Sequence, residues 1–354
     1  MNGVMREPFI SIVINNYNYG RFLGPAIESA LAQSYPRTET IVVDDGSTDE
    51  SRSVIARYAG RVRVLFKPNG GQASAINAGF ALCRGDVVIF LDADDMLFPD
   101  IAASVADAFR RTPEAVRVQY RLEVIDSAGH PTGERVPADY VIMPSGELGS
   151  GVVRFNNVTW WPPTSGHAYS ARALQRILPM PEPQFHIAVD YYLVRASALC
   201  GPIVSLNRVG AYYRRHGTNE DFRDRLDLDQ VRSQIELTRA TQPILKEFAE
   251  SRKLGSLPPD AEAVADLRYV AMRMISLKLD PSRHPLRNDT LTGLAARGMR
   301  VAVQQEHLPW RVRLLAALWF LAVLPAPRGQ ARSLAEKYSY PETRPRWGWV
   351  LRRG

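Results

Sequence analysis

The chain has little cysteine. Cys83 and Cys200 are its two cysteines among 354 residues, and neither belongs to a CxxC pair. Two thiols are too few for the disulfide framework of a small secreted scaffold, and their isolation argues against a zinc site built on thiolates. The cysteine content therefore favours a reducing, cytoplasmic setting.

Long hydrophobic runs are also missing. The longest apolar run, residues 314–324, is much shorter than the roughly 20 residues that a bilayer-spanning helix requires. Residues 1–8 hold none of the apolar region of a secretory signal. We therefore expect a cytoplasmic protein without an ordinary membrane span.

Several ligand-binding motifs are absent from the sequence. It contains neither GxGxxG nor GxxxxGK[ST], which argues against dinucleotide redox chemistry and P-loop chemistry. An EF-hand around the acidic residues near position 92 fails because Leu97 stands where that loop needs glycine. With 45% hydrophobic and 23% charged residues, the chain has the composition of one large domain or two ordinary ones with packed cores.

Positive charge is concentrated at the end of the chain. Residues 297–354 carry eleven Lys or Arg against three Glu, a balance of +8, whereas the whole chain carries +7. This basic tail indicates either a phosphate-rich partner or simply a solvated surface. No nucleic-acid-binding module accompanies the charge, so we expect no nucleic acid partner.

The same tail contains a short apolar segment between cationic and aromatic residues. Residues 314–321 follow Arg311 and Arg313, and Trp347 and Trp349 lie further on. This combination is typical of a peripheral contact with a membrane interface, and it equally fits a terminal helix packed on the domain or on a subunit.

Strand and helix patterns alternate along the first hundred residues. This order predicts an α/β fold with a mostly parallel central sheet and flanking helices. Residues 47–50 have the form of a capping box that opens a helix through Tyr58. Residues 129–163 are expected to be mostly loop, and a helical region is expected from about residue 223 to about residue 300. The predicted strands are 9–14, 40–43, 62–66 and 86–91, and a later strand is expected at 209–213.

Polar residues follow three of these strands, at 15–18, 44–47 and 92–95. In an open α/β sheet the ends of such strands meet at one edge, where ligands bind. Five aspartates on one edge repel each other unless a cation or hydrogen-bond donors satisfy them. Mg²⁺ is the natural partner of such carboxylates, although the same aspartates also suit turns and helix caps.

With these motifs in order, the sequence resembles the inverting family 2 glycosyltransferases, which have a GT-A fold. The resemblance covers residues 8–220, and it implies a GT-A domain over that range with a helical, basic, Trp- and Arg-rich region over 221–354. The matching segments are Ile-Val-Ile-Asn-Asn-Tyr-Asn at 12–18, Ile-Val-Val-Asp-Asp-Gly-Ser-Thr-Asp at 41–49, Asn-Gly-Gly at 69–71, Asn-Ala-Gly at 77–79, and Leu-Asp-Ala-Asp-Asp at 91–95.

The resemblance implies roles for individual residues in binding a nucleotide-sugar donor. Asp45 is expected to contact the nucleotide base, with Asn15 and Tyr17 helping to hold it. Asp92 and Asp94 resemble the DxD motif, which places Asp92 near the ribose and Asp94 on a divalent metal, Mg²⁺ or Mn²⁺, that bridges the diphosphate. Such an ion stabilises a leaving group on which negative charge accumulates.

Two further matches belong to the donor side. Gly70 permits close approach of the backbone to the nucleotide, although a plain turn explains it equally well. Asn77 is assigned to the nucleotide-sugar site because its segment matches the family pattern.

Asp190 is the candidate catalytic base that would deprotonate the acceptor hydroxyl. It opens a predicted helix and matches the acidic position of the family. Many relatives have Glu-Asp there, whereas this chain has Val189 before Asp190. The other interpretation of Asp190 is a simple helix N-cap.

Two weaker elements complete the resemblance. Trp160 and Trp161 resemble an acceptor-side segment, and core packing explains either ring equally well. Arg215 and His216 match a late family motif in which Arg215 would meet the diphosphate and His216 the metal, while Arg215 also fits an ordinary surface charge.

Together these features predict a metal-dependent inverting glycosyltransferase. Its donor would be a nucleotide sugar, most readily UDP-linked, and its acceptor a carbohydrate or lipid-linked hydroxyl used in surface polysaccharide or glycolipid synthesis at the inner face of the cell membrane. Two alternatives stay open, a non-catalytic nucleotide-sugar-binding protein and a phosphatase of the HAD type. Asp95-Met96 replaces the continuation that a HAD loop normally has after its two aspartates.

Overall fold

The structure is a computed structural model that describes residues 7–139, 141–149, 161–183, 185–186, 189–217, 226–251, 253, 266–305 and 308–339. The chain divides into two compact units. The first comprises Met1–Ala138, Pro144–Ser150 and Trp161–Arg215. Among the described residues, the second comprises Asp139–Met143 and the chain from His216 onward.

The first part of unit one is a parallel sheet with helices between its strands. Its strand order is β3-β2-β1-β4. Strands β1 and β4 are mostly apolar and almost completely buried, as expected for strands covered on both faces. The elements are β1 (Ile10–Asn16), α1 (Gly20–Leu31), β2 (Thr38–Asp44), α2 (Ser51–Ala56), β3 (Arg63–Phe66), α3 (Gln72–Leu82) and β4 (Val87–Asp92).

The sheet continues beyond β4 with mixed strand directions, in the full order β3-β2-β1-β4-β8-β6-β9-β5, with β7 paired to β6. Strand β8 runs antiparallel to both of its neighbours, β4 and β6. The remaining elements of this unit are β5 (Met96–Leu97), α4 (Ile101–Arg111), β6 (Arg117–Ile125), β7 (Pro131–Val136), a 3₁₀ turn (Thr164–Gly166), β8 (His167–Ser170), α5 (Ala171–Ile177), α6 (Val189–Ala198) and β9 (Ile203–Arg214).

The predicted fold class is confirmed, with differences in detail. The described part of the region expected to be loop, 129–163, contains β7, which pairs antiparallel with β6. Strand β9 is longer than the predicted segment 209–213, because it lies parallel to almost the whole of β6. Helix α2 ends at Ala56, before Tyr58.

The second unit is helical in its described part. Phe320 is fully buried in its core, and Gly298 has no room for a side chain because an added Cβ would lie 2.3 Å from the Phe320 ring. The expected helical character from about residue 223 is confirmed and extends past residue 300. Its helices are α7 (Leu228–Ser251), α8 (Leu267–Leu279), α9 (Leu291–Val303), α10 (Trp310–Val323) and α11 (Arg328–Ser339). Within the described ranges, no helix is both long and apolar enough to cross a membrane.

A buried polar network ties α8 to the loop before α9. The Arg273 guanidinium donates to the Asp289 carboxylate, with Nε 2.8 Å from Oδ2, and His284 Nε2 lies 2.9 Å from the same oxygen. Burial alone would raise the pKa of Asp289, but the hydrogen bonds from Arg273 and His284 hold it below its ordinary value. The network therefore stabilises a charged carboxylate away from water.

Replacing Arg273 tests this network. In Arg273→Met the Asp289 charge stays buried without its cation, and we expect the free energy of unfolding to fall by about 3–5 kcal/mol. Arg283→Met is the control, because Arg283 pairs with Asp229 at the surface and both side chains are more than half exposed. Urea denaturation of the two variants and the wild type measures the difference. Equal small losses would show that the buried pair has no special importance.

Candidate functional site

The carboxyl ends of β1, β2 and β4 bring the three predicted polar segments to one edge of the sheet, as expected. In the sheet register Asn15 lies opposite Asp92 and Asn16 opposite Asp44. The side-chain amides stabilise these carboxylates by hydrogen bonds, since Asn15 Nδ2 donates to Asp92 Oδ1 over 2.9 Å and Asn16 Nδ2 to Asp44 Oδ1 over 2.8 Å. Parallel pairing of the strands thus brings these carboxylates together, with amide donors between them.

Asp45 organises the glycine loop that precedes α3. Its buried carboxylate accepts hydrogen bonds from the backbone N–H of Gly71 at 2.7 Å and of Gly70 at 3.1 Å, and it pairs with the Lys67 ammonium. Gly71 has φ +86°, and a Cβ there would lie 2.1 Å from His186 Nδ1. The loop therefore requires glycine for both its backbone conformation and its close packing.

Asp49 joins the starts of α1 and α2. Its carboxylate accepts from Gly20 N at 2.8 Å and from Ser51 N at 3.0 Å. Burial raises the pKa of Asp49, but its hydrogen bonds to Ser51 and Gly20 outweigh this and lower the pKa.

The predicted capping box is wrong. Ser47 Oγ accepts instead from Asn18 N at 2.9 Å, and the N-cap of α2 is Glu50, which makes no side-chain capping bond.

The acidic loop after β4, Asp92 to Asp95, is held from three sides. Gln72 Nε2, at the start of α3, donates to Asp92 Oδ1 over 2.9 Å, and Ser165 Oγ accepts from Asp92 N at 3.1 Å. Arg214 binds the other end of the loop, with its backbone N–H donating to Asp95 Oδ1 and its Nε donating to the Asp94 carbonyl, each over 2.9 Å. The loop is consequently pre-organised by the protein itself.

Negative charge accumulates in this loop. Burial raises the pKa of Asp92, and the neighbouring carboxylates of Asp94 and Asp190 raise it further. Burial, Asp94 and Asp92 likewise raise the pKa of Asp95 well above its ordinary value. Carboxylates that disfavour one another's ionisation in this way create a site that attracts positive charge.

Asp190 lies in the first turn of α6, where Oδ1 accepts from Tyr191 N at 2.8 Å. Its charge contributes to the raised pKa of Asp92, so the structure brings Asp190 within electrostatic range of the acidic loop. Val189, at the position where many family members have glutamate, is completely buried. The chain thus has a hydrophobic contact in place of a second carboxylate.

Arg117 anchors the helix that carries Asp190. It is fully buried on β6 and donates to Val194 O at 2.7 Å and to Ser197 Oγ at 2.9 Å, both on α6. Its guanidinium lies 4.0 Å from the centre of the Trp161 ring, and burial lowers the pKa of Arg117 to about 10. Trp161 therefore packs on a buried cation, while Trp160 lies outside the described residues.

Two predicted site residues, Asn77 and Arg215, have partners elsewhere in the structure. The Asn77 amide binds the Met180 backbone in both directions, at 3.0 and 2.9 Å, so it holds the segment after α5. Arg215 forms an ion pair of 2.5 Å with Glu134 on β7. His216 is buried in the second unit. By contrast, Tyr17 is 45% exposed beside the acidic edge.

Sequence reasoning missed Gln72, Ser165 and Arg214. The sequence gives weak hints of the first two. Gln72 directly follows the glycine pair, and Ser165 lies in the segment that resembles the acceptor side of the family. Arg214 was overlooked because the predicted strand ended at 213. The observed strand β9 extends to Arg214, whose side chain reaches the acidic loop.

The chain is similar to known proteins in both sequence and fold. Residues 11–170 match the model of glycosyl transferase family 2. An uncharacterized glycosyltransferase of Nostoc sp. is 37% identical over 214 residues, which is 59% of this chain and 66% of the relative. The hyaluronan synthase of Pasteurella multocida is 41% identical over 100 residues, 27% of this chain and 10% of the synthase. The chondroitin synthase of Escherichia coli is 37% identical over 128 residues, 35% of this chain and 19% of the synthase. The chain thus spans less than two thirds of the length of these relatives.

Two solved structures resemble the fold. S. aureus TarS 1–349 in complex with UDP-GlcNAc superposes with a TM-score of 0.53 at 16% identity, covering 94% of this chain and 92% of TarS. The mannosyltransferase PcManGT from Pyrobaculum calidifontis, in complex with GDP-Man and Mn²⁺, gives 0.53 at 17% identity, covering 95% and 86%. At these identities the likeness establishes the GT-A-like fold of the chain.

Gly71→Ala tests the glycine loop, and Gly133→Ala is its matched control. Both glycines have positive φ, +86° and +81°, but only Gly71 lacks space for a Cβ. We expect both variants to lose about 1 kcal/mol through backbone strain, and Gly71→Ala about 1–3 kcal/mol more through the collision with His186. Urea denaturation measures both losses.

The double variant Gly71→Ala/His186→Ala separates steric from conformational effects, since it should recover much of the additional loss. Equal destabilisation of the two single variants would contradict the packing described for this loop.

Proposed function

Because the chain belongs to glycosyl transferase family 2, we propose that it transfers a sugar from a nucleoside diphosphate to an acceptor hydroxyl with inversion at the anomeric carbon. The observation that carries the proposal is that Asp190, in the first turn of α6, lies close enough to the acidic loop for its charge to raise the pKa of Asp92. This arrangement supplies a candidate base on one side and a candidate diphosphate site on the other.

The donor would lie along the edge formed by β1, β2 and β4. Asp45 and the loop that it holds support the base, with Asn15 and the exposed Tyr17 beside it, and Asp92 lies at the ribose. Gly70 and Gly71 allow the backbone to approach the nucleotide closely. We propose a UDP-sugar, a choice supported by the UDP-GlcNAc bound to TarS, while PcManGT holds GDP-Man.

A divalent cation, Mg²⁺ or Mn²⁺, fits the residues present. Asp94, with Asp92 beside it, would hold the ion, and burial together with the neighbouring carboxylates raises the pKa of Asp92. The proposal rests on these two carboxylates, because the predicted ligand His216 belongs to the second unit. The described residues contain no ready-made group of three His, Cys, Asp or Glu ligands, and Mg²⁺ is usually held by one or two carboxylates together with substrate phosphates. When bound, such an ion neutralises charge on the diphosphate leaving group.

Asp190 would act as the general base. The acceptor oxygen attacks the anomeric carbon, the bond from that carbon to the phosphate oxygen breaks, and the hydroxyl proton passes to the Asp190 carboxylate. One displacement of this kind inverts the configuration of the sugar. Arg117 and Trp161 would contribute by fixing α6, and Arg214 by fixing the loop that faces the diphosphate.

The acceptor is proposed to be a carbohydrate or lipid-linked hydroxyl in surface polysaccharide or glycolipid synthesis. Support comes from the similarity to hyaluronan and chondroitin synthases over part of the chain. A lipid-linked acceptor would place the reaction at the inner face of the cell membrane. A non-catalytic nucleotide-sugar-binding protein needs the acidic loop but not Asp190, so that residue separates the two functions.

Asp190→Asn tests the base. We expect turnover of donor and acceptor to fall about 100- to 10,000-fold, because amide cannot accept the proton, while binding of the nucleoside diphosphate is retained. Asp107→Asn is the control, since Asp107 pairs with Arg110 and Arg111 on the surface of α4. Turnover equal to wild type in Asp190→Asn would remove that residue from the mechanism.

Thermal-shift measurements with a panel of nucleoside diphosphates test the donor and the cation together. We expect UDP to raise the melting temperature of the wild type only when Mg²⁺ or Mn²⁺ is present, because Asp92 and Asp94 would hold the ion and the ion would neutralise charge on the diphosphate. Asp94→Asn should abolish this joint effect. Indifference of the wild type to every nucleotide, with and without metal, would contradict the proposed donor site.

A further inference from the structure

Helix α10, Trp310–Val323, is apolar on both its inner and its outer side. Its inner side packs in the core of the second unit through Ala316, Phe320 and Val323. Its outer side exposes five large apolar residues, here called the α10 face, which recur at helical spacing on the solvent side. They are Trp310, Leu314, Leu315, Leu318 and Leu321, each between 39% and 65% exposed.

No charged residue of α10 lies between Leu314 and Leu321. The sequence from 314 to 327 contains no Asp, Glu, Lys or Arg. Ordinary surface helices place polar residues on the side away from the core, so a contiguous apolar outer side indicates a contact with another apolar phase or molecule.

The charge of the described helices α8 to α11 favours an anionic partner. Arg311 and Arg313 lie in the first turn of α10, which contains no acidic residue, although the helix dipole favours carboxylates there. Residues 266–305 and 308–339 together hold twelve Lys or Arg against four Asp or Glu. This excess of positive charge complements an anionic surface, and it would make two copies of the same face repel each other.

We propose that the α10 face docks the chain on an anionic lipid surface, with α10 lying in the plane of the headgroups. The leucines would enter the boundary of the acyl chains, and Trp310 would lie at headgroup depth beside the Arg311 guanidinium, which is 5.5 Å from its ring centre. The 14 residues of α10 extend about 21 Å, too short to cross a hydrocarbon core of about 30 Å. The proposal does not depend on the proposed transferase activity.

Sedimentation of the full chain with lipid vesicles tests the docking. We expect binding to mixed phosphatidylglycerol and phosphatidylcholine vesicles, weakening as salt rises, and much less binding to pure phosphatidylcholine. In Leu314→Ser/Leu318→Ser/Leu321→Ser the partition coefficient should fall at least about tenfold, equivalent to about 1.4 kcal/mol. Failure of the wild type to bind the anionic vesicles, or equal binding by the triple variant, would overturn the proposal.

Two controls and one further variant show whether vesicle binding is specific to the α10 face. Ile142→Ser changes a side chain that is 64% exposed but lies outside α10, and it should bind vesicles like the wild type. Circular dichroism should show that the triple variant is folded, since the three leucines are exposed. Arg311→Gln should reduce the salt dependence of binding while leaving the apolar contribution.

Light scattering tests the other possible occupant of the α10 face, a second copy of the chain. A wild type that is dimeric and fails to bind vesicles, with a triple variant that is monomeric, would make the α10 face a contact between copies of the chain and overturn the proposal. Transfer to a soluble acceptor should be the same in the triple variant and the wild type, so the vesicle result and the transferase result are judged separately.

Discussion

The candidate site depends on how the protein balances carboxylates crowded at one edge of its sheet. Parallel pairing of β1 with β2 and β4 brings Asp44 and Asp92 to that edge, and amides from Asn15, Asn16 and Gln72 donate to them. Arg214 secures the Asp92 to Asp95 loop mainly through the backbone. The compensation is incomplete, since burial and mutual repulsion still raise the pKa of Asp92 and Asp95. This electrostatic repulsion supports the proposal of a cationic partner at the site.

Much of this arrangement could be predicted from local patterns. The strands β1 and β4 are apolar runs followed directly by Asn and Asp, and the rule that ligands bind at the carboxyl ends of parallel strands places their polar residues together. Asp190 could be assigned only through resemblance to a family, because its helix is remote in sequence from the acidic loop. The helical character of the second unit was also predictable, but the outward exposure of its leucines on α10 was not, since the same residues suit a buried helix.

Local patterns do not determine which of several equivalent partners a side chain binds. Ser47 has the spacing of a capping residue, yet its hydroxyl oxygen accepts from the backbone N–H of Asn18, in the turn after β1. Asn77 matches a family segment, but Met180 occupies its amide through a contact more than a hundred positions away in sequence. Arg214 and Arg215 are adjacent, and only the register of β9 determines that Arg214 meets the acidic loop while Arg215 meets Glu134. Such choices depend on tertiary packing, which no local pattern contains.

Electron paramagnetic resonance of Mn²⁺, titrated into the chain in the presence of UDP, tests the central claim most directly. The account predicts a protein-bound Mn²⁺ signal that requires UDP and disappears when Asp92 and Asp94 are both replaced by asparagine. Bound Mn²⁺ that persists in the double variant, or wild-type protein that leaves all Mn²⁺ free, would contradict the claim that the acidic loop holds a cation against a diphosphate.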